Sequence, residues 1–144
     1  MNLARPISSI TTDAAHAAVA AGVAKAAEMG WRMNVAVVDR GGNLIAFLRN
    51  EDAPLHSTGL AIDKAYTALS FNMSSKDWNQ VLGASSDEVK RGIVTRERLV
   101  VFGGGLPIRK NGTLLGAIGA SGGMEDHDEV CIRAALASID ADML

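Results

Sequence analysis

The sequence predicts an α+β domain in which helices pack against an antiparallel sheet. An alanine-rich stretch with helical caps comes first, two β-hairpin patterns follow at separate places, and a long amphipathic helix ends the chain. Because hairpins join neighbouring strands in opposite directions, the sheet is expected to be antiparallel. The predicted order is α-β-β-α-β-β-β-α, which gives a five-stranded sheet flanked by helices.

The first half of the chain supplies one helix and one hairpin. Eleven of the fourteen residues 14–27 are Ala or Val, and the helical stretch 12–30 has Thr11 as a capping candidate and Gly30 as its end. Two apolar runs, 34–39 and 44–49, flank the glycine-containing turn 40–43 and predict a hairpin. Side chains this small on the first helix allow close approach by another backbone, and favour burial in a subunit interface.

The second half is predicted to hold three strands and two main helices. Helical spacing runs from Leu60 to about Phe71, and the polar stretch 72–97 contains two short helical starts but no strand. The β-rich run 99–102 predicts one strand. The runs 106–109 and 113–120 predict a hairpin around Asn111-Gly112, because Asn-Gly favours a tight turn. The last helix is predicted from about Glu125.

Composition narrows the classes of function. The chain has 144 residues, 48% of them hydrophobic, which fits a single domain over 1–144. Its 14 Lys and Arg against 16 Asp and Glu give a net charge of −2, so we expect no nucleic-acid partner. No apolar run approaches the roughly 20 residues that span a bilayer, and we expect a soluble, cytoplasmic protein without a membrane partner. The one cysteine, Cys131, favours neither a disulfide nor a metal site, and we expect a small buried side chain in the last helix.

Two cations are candidates for holding an anionic ligand. Arg49 ends the second predicted strand and Lys64 lies in the following helix, near a glycine-rich segment. Arginine and lysine could receive a carboxylate there. Ordinary salt bridges are the alternative, with acidic partners at Asp39, Asp52 or Asp63.

The glycine-rich segment 116–123 joins a strand to the last helix. Its end, Ser121-Gly122-Gly123, offers backbone N–H groups of the kind that bind anions. Acidic residues at 125, 126, 128 and 129 disfavour a phosphate there, because they already complement the helix dipole. The alternative is that these small residues let the strand and the last helix cross closely.

Each of the three histidines has a functional and a plain interpretation. His127 lies in the first turn of the last helix and could act as a general base or a metal ligand, or could simply be a solvated residue. His56 follows Pro54-Leu55 and could face a ligand or water. His16 lies in the alanine-rich helix, as a packed or interface residue or as a ligand. No histidine spacing indicates a metal centre.

Several motifs resemble, in combination, the GlcG/HbpS family of haem-binding proteins. They are Val37–Leu44, Arg49, Ala61–Ala68, Gly103–Ile108, and Gly116–Gly123 with Asp128. The C-terminal domain of PduO-type cobalamin adenosyltransferases is similar. This resemblance implies a profilin-like fold, self-association from dimers to octamers, and a link to haem or to small-molecule catabolism.

Two functions follow from the resemblance. The first is an oligomeric protein that binds haem or a related apolar acid, with His16 or His56 as axial ligand and Arg49, Lys64, Ser121, Gly122 and Gly123 in the binding site. The second is a cofactor-free enzyme of aromatic-acid catabolism, a hydrolytic deaminase or isomerase acting on an aminomuconate-type acid. In the enzyme, Arg49 and Lys64 would hold carboxylates while His127 or Glu125 moves a proton. An accessory subunit with a vestigial pocket is a third alternative.

Overall fold

The computed structural model describes residues 1–143, which form five α-helices, one 3₁₀ helix and one sheet. The elements are α1 (Thr12–Glu28), β1 (Asn34–Asp39), β2 (Leu44–Arg49), α2 (His56–Phe71), a 3₁₀ turn (Ser75–Asp77), α3 (Trp78–Gly83), α4 (Asp87–Ile93), β3 (Gly105–Lys110), β4 (Thr113–Ser121) and α5 (Glu125–Ser138). The predicted α+β class is therefore confirmed, as are both predicted hairpins.

The sheet is antiparallel, with strand order β2-β1-β4-β3. The central pair, β1 and β4, joins the two halves of the chain. Asn34 lies opposite Arg49 on one side and opposite Ser121 on the other. Three polar residues thus lie side by side at one end of the sheet, and α2 and α5 both begin shortly after a strand ends there.

The prediction of five strands is wrong, because the described residues form only four. The run Leu99–Phe102 is irregular, and it does not pair with a strand of the sheet that the described residues form. Val100 N–H donates to Thr67 Oγ1, at 3.0 Å. Arg98, just before the run, has a φ of +64°, which turns the chain away from an extended path. Apolar β-branched residues predicted the strand, and these tertiary contacts override that preference.

The sheet buries a separate apolar layer on each face. On one face, α1 and α5 pack over alternate strand residues such as Val35 and Ile118. On the other face, α2 packs over strand residues that point the opposite way, Val38 and Ala117 among them. This alternation follows from the two-residue period of a strand. Cys131 lies in the α1–α5 layer, and burial raises the pKa of its thiol to about 11, as expected for a buried, unreactive side chain.

Glycines allow α2 to lie very close to the sheet. A Cβ on Gly119 would lie 2.1 Å from the carbonyl oxygen of Ala61, and one on Gly105 would lie 2.4 Å from that of Lys64. Small residues of the segment 116–123 do permit a close crossing, but the prediction named the wrong helix, because the backbone that contacts Gly119 belongs to α2 and not to the last helix. The predicted helical starts in the polar stretch are also confirmed, with Ser74 and Ser86 as caps.

Candidate functional site

The most deeply buried charges of the molecule belong to Lys64 and Asp128. Lys64 Nζ lies 2.5 Å from Asp128 Oδ2, and the two side chains are 2% and 3% exposed. The salt-bridge alternative for Lys64 is therefore what the structure contains, with Asp128 as the partner in place of Asp39, Asp52 or Asp63. Because α2 supplies the cation and α5 the anion, the ion pair links these two helices.

The segment Gly103–Gly105 closes over this ion pair. Gly104 has a φ of +104°, and a Cβ there would lie 2.8 Å from both Lys64 Nζ and Asp128 Cβ. The Phe102 ring centroid lies 5.0 Å from Lys64 Nζ, a cation–π arrangement. Gly103 N–H donates to the carboxylate of Glu125. We call Lys64, Phe102, Glu125 and Asp128 the Lys64 cluster.

The electrostatics of the Lys64 cluster are dominated by burial. Desolvation raises the pKa of Asp128 from 3.8 to about 6, although the Lys64 ammonium opposes that rise. Asp128 Oδ2 accepts the lysine hydrogen bond, whereas Oδ1 is buried and has no hydrogen-bond partner among residues 1–143. Apart from its place in the family motif, Asp128 was not predicted as a site residue. Its signal in the sequence was an acidic residue in the first helical turn after a glycine loop.

The Arg49 side chain is already hydrogen-bonded to two backbone carbonyl oxygens. Its guanidinium donates to the backbone carbonyls of Glu51, at 2.6 Å, and Ala53, at 2.7 Å. These bonds shape the loop between β2 and α2. On the neighbouring strand, Asn34 Nδ2 donates to Ser57 Oγ at 2.8 Å, which holds the start of α2 against the sheet.

His127 packs against an aromatic ring outside the Lys64 cluster. Its imidazole stacks on Trp31, with centroids 3.9 Å apart and planes at 12°. Its Nδ1 accepts a 3.4 Å hydrogen bond from Met124 N–H, which places the ring at the start of α5. A Cβ on Gly123 would lie 2.9 Å from that Nδ1, so the glycine gives the ring its space. Of the four residues predicted to be catalytic, Lys64 and Glu125 both border the segment Gly103–Gly105. Arg49 instead binds the loop after β2, and His127 stacks on Trp31.

His16 and His56 are both exposed. His16 lies in α1, where Ala17 and Ala24 are exposed and Ala20 is half-buried, and we call these four residues the α1 outer face. His56 is the first residue of α2 and follows Leu55, which is 80% exposed. Within residues 1–143, neither histidine side chain makes a hydrogen bond or ion pair. No group of three or more metal-ligating side chains occurs in that same range, nor does any helix long and apolar enough to cross a membrane.

Comparison with known proteins identifies the family. A family model described as "Haem degrading protein HbpS-like" matches residues 10–137, which is most of the chain. The chain belongs to the HbpS-like family. Protein GlcG of Escherichia coli K12 is 30% identical over 107 residues, covering 74% of this chain and 77% of GlcG. Corrinoid adenosyltransferase PduO of Citrobacter freundii is 28% identical over 135 residues, but this HbpS-like chain spans only 40% of that longer protein.

Solved structures of relatives share the fold. Protein ORFY of Klebsiella pneumoniae superposes with a TM-score of 0.89 and 30% identity over 99% of both chains. A PduOC–haem complex superposes with a TM-score of 0.84 and 28% identity, over 93% of this HbpS-like chain and 97% of that one. HbpS of Streptomyces reticuli, in a double-mutant form, has a TM-score of 0.79 and 29% identity, with 93% and 89% coverage.

Proposed function

We propose that this HbpS-like protein binds haem, or a related apolar acid, and that His16 on the α1 outer face supplies the ligating nitrogen. The observation that carries the proposal is the setting of His16: an exposed imidazole without a protein partner among the described residues, bordered by alanines. The family match and the haem complex of PduOC support haem as the first ligand to test.

The residues of the α1 outer face fit a flat macrocycle. Haem iron in proteins commonly takes one histidine nitrogen, and the ring must come close to that nitrogen. Ala17 and Ala20 lie within about one helical turn of His16 on its C-terminal side, so on that side no long side chain stands between the imidazole and a planar ligand. Bound haem would supply redox and gas-binding chemistry, while His16 would hold it and the alanines would provide an apolar contact surface.

Self-association fits the same surface. Leu48, on the edge strand β2 against which α1 packs, is 39% exposed, so the neighbourhood of α1 presents apolar area to solvent. A second copy of the chain covering this area would shield a bound haem from water. We therefore expect a homo-oligomer, and light scattering that gives a 15.0 kDa species at micromolar concentration would contradict this part of the proposal.

Haemin titration tests the ligand and its histidine separately. We expect a Soret shift that saturates near one haemin per chain. His16→Ala should weaken binding about tenfold or more, equivalent to roughly 1.4 kcal/mol or more. His56→Ala is the matched control, because it removes another exposed imidazole from a different helix.

The outcomes distinguish a failure of haem binding from a wrong assignment of the ligating histidine. Absence of a Soret shift with the unaltered protein would overturn haem binding itself. A shift that persists in His16→Ala and disappears in His56→Ala would retain haem and transfer the ligand role to the start of α2. A shift unchanged in both single variants would overturn the ligand role of either histidine.

The enzymatic alternative has less support from the geometry. It requires Arg49 and Lys64 to receive the carboxylates of a substrate. Arg49 donates to two backbone carbonyls and Lys64 is paired with Asp128 in a site too tight for a methyl group at Gly104. A substrate would have to replace these contacts, so we favour the binding protein.

A further inference from the structure

A cavity lies between the last turns of α2 and the segment 93–99. Its volume is about 260 Å³. Tyr66 and Phe71 of α2 form one wall, and Ile93 and Leu99 face them, so the walls are largely apolar. Small-molecule sites typically measure roughly 300–1,000 Å³ and are lined mainly by apolar groups. This cavity is slightly smaller, which suits a molecule with a single ring.

The wall of the cavity is fixed by specific contacts. Thr67 Oγ1 donates to the carbonyl of Arg98, at 2.9 Å, and accepts from Val100 N–H, at 3.0 Å. The Arg98 guanidinium lies 3.6 Å from the Tyr66 ring centroid, and its Nε donates to Asp63 at 3.0 Å. These contacts hold Arg98 at a φ of +64°, a left-handed conformation that non-glycine residues rarely adopt. The cavity is therefore preformed.

The two arginines that line the cavity differ in whether they have an ion-pair partner. Arg98 is balanced by Asp63. Arg96 also lines the cavity, and across the described residues its guanidinium makes no ion pair or hydrogen bond. Glu97 is the acidic residue of the lining, and it is exposed like Arg96. An unpaired guanidinium beside an apolar cavity is suited to a ligand with an apolar ring and one carboxylate.

We propose that this cavity, named here the Tyr66 cavity (Tyr66, Phe71, Ile93, Arg96 and Leu99), binds a small aromatic monocarboxylate, with Arg96 pairing to the carboxylate. The ring would occupy the apolar interior, and the carboxylate would lie at the rim. This site uses α2 and the segment after α4, whereas the haem proposal uses α1, so either can fail without the other.

Benzoate is the probe, and nuclear magnetic resonance titration of the ¹⁵N-labelled protein is the measurement. We expect saturable shifts of the Thr67, Arg98 and Leu99 amides. Arg96→Gln should weaken benzoate binding about three- to fivefold, which is the size expected for an exposed ion pair. Glu97→Gln should tighten it about twofold, because a repulsive carboxylate is removed. Benzamide, which has the same ring without charge, should bind the unaltered protein more weakly than benzoate.

Arg91→Gln is the matched control. Arg91 lies on α4, is 73% exposed and pairs with Glu88, and it does not line the cavity. It should leave benzoate binding unchanged, which shows that the Arg96 effect is local. Shifts confined to other regions, no saturable shifts at all, or equal weakening by Arg91→Gln and Arg96→Gln would each overturn the proposal.

Discussion

The Lys64 cluster and the α1 outer face both depend on small residues, yet they differ in every property that matters for binding. In the Lys64 cluster, glycines bring backbone so close that no methyl group fits at Gly104, and two charges are sealed from water. On the α1 outer face, alanines border the exposed imidazole of His16, and Ala17 and Ala24 are themselves exposed.

The difference teaches that a charged cluster near a glycine-rich segment is not by itself a binding site. Because glycine has no side chain, two backbones that meet at a glycine pack directly against each other. No space for a ligand is then left between them. Alanine on an outward-facing helix leaves that space to a ligand or a partner. The Lys64 cluster accordingly acts in stability, and the α1 outer face is the better place for an external molecule.

The largest expected effect is the loss of the buried lysine. Lys64→Met should reduce the free energy of unfolding by about 3–5 kcal/mol, because it leaves the Asp128 carboxylate buried without its partner. Urea denaturation at pH 7 measures it. Lys64→Met/Asp128→Leu should recover more than half of the loss, because both charges are then absent.

The control for that variant is an exposed ion pair. Lys90→Met removes the partner of Asp87, whose side chain is 75% exposed, and should change stability by less than about 0.5 kcal/mol. Similar losses for Lys64→Met and Lys90→Met would show that the buried pair has no special role in stability.

A smaller effect is expected from pH. Because the pKa of Asp128 is raised from 3.8 to about 6 in the folded protein, the folded state holds a proton that the unfolded state releases between these values. This contribution to stability is complete below about pH 4 and is lost as pH rises to 6. Relative to Asp128→Asn, the unaltered protein should lose about 2 kcal/mol between pH 4 and pH 7.

Urea denaturation of both proteins at intervals of one pH unit measures that difference. The comparison with Asp128→Asn cancels the other carboxylates, which titrate in both proteins. A difference that is constant over this range, or one that grows in favour of the unaltered protein as pH rises, would contradict the raised pKa.

The smallest effect on stability should come from the α1 outer face. Ala17→Leu adds bulk beside His16 on an exposed position with similar helix propensity, so stability should change by less than about 0.5 kcal/mol. Haemin affinity should nevertheless fall about fivefold, because a ring approaching His16 meets the new side chain. Soret titration together with thermal unfolding measures both quantities.

Ala27→Leu is the matched control for this variant. Ala27 is also exposed, and at about 1.5 Å per residue it lies about 16 Å along α1 from His16. It should leave haemin affinity unchanged. If Ala27→Leu weakens haemin binding as much as Ala17→Leu does, the ligand does not lie at the His16 end of the helix.

Local patterns predicted most of the elements correctly. The cap at Thr11, the two helical starts in the stretch 72–97 and the Asn111-Gly112 turn are properties of short segments, and the structure contains them as predicted. The run 99–102 was the exception among the strands, because Val100 N–H donates to Thr67, a residue 33 positions away, and Gly103 N–H, just after the run, donates to Glu125.

Site residues were harder to predict than elements. Lys64 does lie beside glycines, but its partner Asp128 could not be identified from the sequence, and Arg49 instead donates to the loop after β2. The oxygens that Arg49 holds belong to a loop whose shape depends on Arg49 itself. The Tyr66 cavity was missed, because its two walls come from α2 and from a polar stretch without a motif.

The sequence by itself determined the α+β class, both hairpins, the alanine-rich helix and the family resemblance, because these depend on periodicity, turn residues and local motifs. Only the tertiary structure decided that Lys64 faces Asp128, that His127 stacks on Trp31 and that His16 is exposed. The physical reason is that charge pairing and exposure depend on distances between segments far apart in the chain. For Lys64, it is the close approach of α2 to Gly105 and Gly119 that brings the side chain to Asp128.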